Sequence, residues 1–145
     1  MAKLVEFGAI AAIAILASPA VLAANVSISN AWFRVLPAGL PAGGYFTLHN
    51  SSAAPAELVS ATSHACGMVM LHRSTMKGGV SRMEDVNSVA VPAHGTVEFA
   101  PGGYHLMCMD PGSAMKPGAR VGVTFVFADK SQSSAEFDVK NAGGK

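Results

Sequence analysis

The chain reads as a single all-β domain, an antiparallel sandwich or barrel. Three observations predict that class. From Val26 onward, roughly ten short apolar runs are broken by Gly, Pro, Asn and Ser. No segment of this part carries a long 3.6-residue apolar period. One run, Arg120 to Ala128, places Val121, Val123, Phe125 and Phe127 on alternate positions, as a half-buried strand does. The length of 145 residues, 50% hydrophobic, suits one domain with a sizeable core.

Taken in order, residues 1–24 read as a secretory signal. Lys3 gives a positive start, Phe7 to Ala17 an apolar core, and Val21-Leu22-Ala23 a small-residue cleavage site. That apolar run is shorter than the roughly 20 residues of a membrane span, although an uncleaved anchor is the alternative. Residues 25–140 form the folded domain, and 141–145 a short flexible tail. Within the domain, Val26–Ser29 and Ala31–Arg34 open as strand, and Pro37–Gly44 is a loop. Tyr45–His49 is a strand of β-preferring residues, followed by a polar turn and a weaker strand at Ala56–Thr62. Met68–Arg73 and Val80–Met83 flank a glycine turn. Val89–Val91 stops at Pro92, and Thr96–Phe99 stops at Pro101-Gly102-Gly103. Tyr104–Met109, Arg120–Ala128 and Ala135–Val139 complete the set.

The net charge of +1 leaves no electrostatic footprint for nucleic acid or an anionic membrane surface. Cys66 and Cys108 are the two cysteines. In an exported chain an even pair argues for a disulfide, with two free buried thiols as the alternative. No G-x-S-x-G, P-loop or H-E-x-x-H pattern occurs, so an enzyme reading finds no foothold.

The chemistry gathers at Tyr104-His105-Leu106-Met107-Cys108-Met109. His105 and Met107 are two apart and share one strand face. Imidazole beside thioether is a soft, neutral pair suited to Cu(I). On this strand alone, a core histidine beside a gap-filling methionine is the commoner meaning. A second pair changes the balance. If the hairpin turns at Lys77-Gly78, His72 faces Met83 across the ladder, with Cβ atoms about 5 Å apart. If it turns at Gly78-Gly79, Met83 faces Ser74 and His72 becomes its diagonal neighbour on the same face. His72, Met83, His105 and Met107 then form a neutral four-donor set for Cu(I), where zinc would ask for Cys, His and carboxylates. Cys108 points to the other face, which argues against a thiolate ligand and against a blue-copper electron carrier. A structural sandwich without metal is the remaining rival.

The other candidates carry blander meanings. Met68, Met70 and Met76 read as apolar packing, with guarding or passing copper as the alternative, and Met109 shares the His105 face, with a ligand role as its lesser alternative. His49, His64 and His94 read as surface or structural groups. Trp32 and Tyr104 read as packing residues, with Tyr104 placed to shield one edge of His105. Arg34, Arg73 and Arg82 read as solvated charge.

The spacing of His72, ten residues, Met83, twenty-one residues, His105, one residue and Met107 resembles that of the periplasmic PCu(A)C copper chaperones. The resemblance extends to Asn30-Ala31-Trp32, Met70-Leu71-His72, Gly79-Val80-Ser81-Arg82-Met83, Val91-Pro92-Ala93-His94-Gly95 and Pro101 to Met107, and so covers most of residues 26–140. It implies a cupredoxin-like, Greek-key β-barrel that binds one Cu(I) near its surface. It also implies delivery in the periplasm toward cytochrome c oxidase assembly, with an oxidase subunit or another copper protein as acceptor. A monomer is expected.

Overall fold

A computed structural model describes residues 8, 12–18, 20 and 22–145. Residues 1–7, 9–11, 19 and 21 lie outside it, so much of the expected secretory signal falls outside the described residues. Among the described residues, no helix is long and apolar enough to cross a membrane.

Among the described residues, ten strands carry the fold. They are β1 (Val26–Arg34), β2 (Ala42–Asn50), β3 (Ala56–Thr62), β4 (Cys66–Lys77), β5 (Val80–Asp85), β6 (Val89–Val91), β7 (Thr96–Phe99), β8 (Tyr104–Pro111), β9 (Arg120–Phe127) and β10 (Gln132–Lys140). The hydrogen-bonded order is β5-β4-β8-β2-β1-β10-β9-β3-β6, with β7 paired to β2. β2 divides one of its edges: Ala42–Gly44 pairs with β8, and Phe46–His49 pairs with β7. Among the described strands the pairings are antiparallel except β1 with β10. A parallel neighbour needs a long crossover, and here the rest of the domain serves as one.

The all-β class is the one the sequence predicts. The alternation in β9 is real: Val121, Val123, Phe125 and Phe127 are all buried. The sheet curls until its inner face closes on itself. Phe46 of β2 meets Phe99 of β7 at 4.3 Å between ring centroids, Phe125 of β9 at 5.0 Å and Phe137 of β10 at 5.5 Å. Each such ring contributes about 1.5–3 kcal/mol by leaving water. Asn50 is a fully buried polar residue, donating to the carbonyls of Ala54 and Val91 and accepting from the Ser52 amide.

Two details set up the outer face of β4, β5 and β8. The β4–β5 hairpin turns at Gly78-Gly79, with φ of 56° and 79°. A two-residue turn with both φ positive suits this pair and would strain Lys77. The pairing of His72 with Met83 expected from a Lys77-Gly78 tip is therefore corrected: Met83 lies opposite Ser74, and His72 opposite Asp85. The sulfurs of Cys66 and Cys108 are joined, linking β4 to β8 through the buried side of the sheet.

Candidate metal centre

β4 pairs with β5 over His72 to Lys77 and with β8 over Cys66 to Arg73, so on its outward face His72 has a partner on each side. Three successive rungs result. The middle rung is Asp85, His72, His105. One step toward the hairpin tip is Met83 opposite Ser74. One step the other way is Met70 opposite Met107. Rungs on one face are about 6.8 Å apart. The four residues singled out in the sequence thus stand on one surface, with two histidines at the centre and a methionine on either side. The intervening Leu71 and Leu106 point into the core and are buried.

Each donor is held differently. His105 is only 4% exposed. Its Nδ1 lies 3.2 Å from the Gly103 carbonyl, which as an acceptor selects the Nδ1–H tautomer. Nε2 then carries the free lone pair, and it is buried with no protein partner. A buried orphan nitrogen costs stability unless a ligand takes it up. Burial is the first cause that lowers the His105 pKa below 6.5, with the neighbouring His72 charge adding to it and the Gly103 bond opposing it. The neutral, ligating form is favoured.

The two imidazoles meet edge to face, with ring centroids 5.6 Å apart. Nε2 of His72 lies 2.8 Å from Asp85 Oδ1. The contact is off the N–H direction, and neither ring nitrogen of His72 makes an aligned hydrogen bond. Asp85 therefore contributes negative charge beside the imidazole and leaves the ring free. Met83 is 62% exposed, and Met107 is half-buried. A shallow pocket of about 260 Å³ joins Met83, Ser74, His105 and Met107, walled by Gly43 and Tyr45.

Tyr45 was not among the sequence candidates, yet its ring centroid lies 6.5 Å from that of His105. The expectation that Tyr104 shields His105 is corrected: Tyr104 stacks on Phe99 instead, because it projects from the opposite side of β8. Gly43 leaves the room that Tyr45 occupies, since a Cβ there would sit 2.8 Å from the Tyr45 hydroxyl. Arg34, expected to be solvated charge, lies between Trp32 and Tyr45, 5.3 and 5.5 Å from their ring centroids. Arg73 does behave as expected, pairing with Glu84 at 3.3 Å on the surface. His49, His64 and His94 are exposed and outside the rungs.

Among the described residues no three His, Cys, Asp or Glu side chains converge on a point. A hard-cation or zinc-type cage is not offered, and thioethers must complete any donor set on this face.

Comparison with known proteins gives a family and several similar folds. The family described as "Putative lipoprotein LpqE-like" matches residues 26–139. A chain named "Putative lipoprotein Lxx21020", from Leifsonia xyli subsp. xyli, is 32% identical over 128 residues, covering 88% of this chain and 76% of its own length. Among solved structures, the copper-bound PCuAC domain from PmoF2 superposes with a TM-score of 0.67 at 23% identity, over 82% of this chain and 95% of that one. The Cu(I) form of DR1885 from Deinococcus radiodurans superposes with a TM-score of 0.62 at 28% identity, over 81% of this chain and 78% of that one.

Proposed function

This chain belongs to the LpqE-like family, and from that premise we propose that it is a periplasmic copper chaperone holding one Cu(I) tightly through His72, Met83, His105 and Met107. The observation that carries the reading is the rung geometry: an unpartnered, buried His105 Nε2 beside a second imidazole, with a thioether on either side. All four donors are neutral and two are soft, which favours Cu(I) over hard divalent ions. The likeness to the Cu(I) form of DR1885 supports the same ion.

The transfer mechanism is ligand exchange. Copper is cargo here, not a catalyst. The histidines sit in rigid strands and resist displacement. Met83, largely exposed on the short β4–β5 hairpin, is the donor an incoming group can replace first. An acceptor with thiolate ligands then takes the ion downhill, and an oxidase subunit or another exported copper protein fits that description. On the same proposal the protein is exported, residues 1–24 being a leader that is removed to leave a domain of 25–140.

A blue-copper role would require a cysteine thiolate, and both cysteines are consumed in the disulfide. The test is anaerobic Cu(I) titration against a chromogenic chelator, with X-ray absorption on the loaded protein. One tight equivalent with nitrogen and sulfur scatterers, weakened in His105→Ala and in Met107→Ala without loss of fold, is the expected result. Unchanged affinity in both variants would remove the site assignment.

A further inference from the structure

The ladder of soft donors does not stop at Met107. Beyond the Met70–Met107 rung, the next pair on the same outer face is Met68 opposite Met109. The alternate residues Leu71, Leu106 and Cys108 fill the core, so the methionines occupy the opposite, outer side of the sheet. Met68 is 57% exposed, and Met70 and Met109 are half-buried. The reading of these residues as packing therefore fails for Met68.

We propose that Met68, Met70 and Met109 form a second, weaker Cu(I) site one rung along the β4–β8 ladder. The proposal rests on the reading of this face as copper-binding, and it adds a place where the ion is held before or after the histidine rung. Directly opposite strand residues have Cβ atoms about 4.5–5.5 Å apart, and a methionine has three rotatable bonds to close the rest. Met68 and Met109 can thus aim both sulfurs at one ion, and Met70, two residues along β4, can supply a third. Met70 also faces Met107, so it belongs to both rungs and can hand the ion from one to the other. Three thioethers are uncharged and soft. They select a monovalent soft ion and offer nothing to Zn²⁺, Ca²⁺ or Mg²⁺. With no imidazole, this rung binds less tightly than the histidine rung. Passage between the rungs exchanges the metal–nitrogen bonds to His72 and His105 for metal–sulfur bonds to the methionines, with no change in oxidation state.

The experiment labels the methionine methyl carbons with ¹³C in the intact domain and follows them by NMR during anaerobic Cu(I) titration. The first equivalent is expected to move the methyls of Met83 and Met107, and the second those of Met68, Met70 and Met109. Met68→Leu with Met109→Leu keeps apolar volume on the strand. It should abolish the second event while leaving the first equivalent bound. If the Met68 and Met109 methyls stay still at two equivalents, or if the double variant still takes the second ion, the second site does not exist. Movement of Met68 and Met109 without movement of Met83 and Met107 keeps this site and overturns the proposed histidine site instead. The two readings therefore fail separately.

Discussion

The Cys66–Cys108 bridge gives a prediction whose size can be worked from the chain. The bond spans a sequence separation of 42 and ties β4 to β8. Closing a loop of that length in the unfolded chain removes about 13 cal/mol/K, or about 4 kcal/mol at 25 °C. Cys66→Ala with Cys108→Ala is the clean perturbation. Chemical reduction is not, because it would release two thiols that compete for Cu(I). Cys108 is fully buried, so alanine there leaves a small void and adds slightly to the loss. The copper-free variant should unfold in urea with about 4 kcal/mol less stability than wild type.

The same variant separates fold from site. β4 and β8 also share a continuous ladder from Met68–Met109 to Arg73–Tyr104, which sets His72 against His105 without help from the bridge. The Cu(I) affinity of the folded variant should therefore change by less than about tenfold, or about 1.4 kcal/mol. Copper at about 100 times its dissociation constant should return about 2.7 kcal/mol of the lost stability. A loss below about 1 kcal/mol would refute the loop-closure reasoning. A collapse of affinity with the fold retained would refute the claim that the ladder alone sets the histidine rung.

Three further outcomes are expected. The pKa of His105 is lowered, first by burial, so the unfolded chain takes up a proton before the folded one does. Stability of the copper-free protein therefore falls as pH drops below about 6.5, the window opening at the unfolded value; urea midpoints between about pH 8 and 5 check this, and His105→Leu should flatten the slope. Gly44→Ala would press a methyl to 2.7 Å from Phe33 and 3.1 Å from Leu106, costing about 1–3 kcal/mol in urea unfolding. Asp85→Asn removes the carboxylate beside His72; since Asp85 is largely exposed, Cu(I) affinity should fall by less than about tenfold, and the fall should shrink in high salt.

The strands were readable where alternation and breakers coincide. β3, β6 and β7 begin and end where Pro, Gly and β-preferring residues place them. β4 runs four residues past its expected end at Arg73, because pairing with β5 extends it through Met76 and Lys77, where local sequence carries no apolar pattern. The four-donor set was visible as two pairs by strand parity. Sequence could not show that His72 and His105 are direct partners, since the β4–β8 register is long-range. Tyr45 and Gly43 were missed for the same reason: β2 reaches the site only through its pairing with β8 at Ala42–Gly44. Asp85 was within reach of the Gly78-Gly79 turn, whose register places it opposite His72.

The arrangement of the rungs bears on how a chaperone can hold an ion and still give it up. A cage closed on all sides binds well and exchanges slowly. Here the donors grade from fixed to free along a single face. His105 is locked by the Gly103 carbonyl and by burial, His72 is 12% exposed at its side chain, and Met83 and Met68 stand in solvent at the two ends. Under the proposed function, the central imidazoles set affinity and the outer thioethers set the path in and out. Stiffening an end, by Met83→His for example, should tighten binding and slow transfer to a dithiol acceptor in stopped-flow mixing. Tighter binding with equal or faster transfer would show that exchange does not begin at Met83.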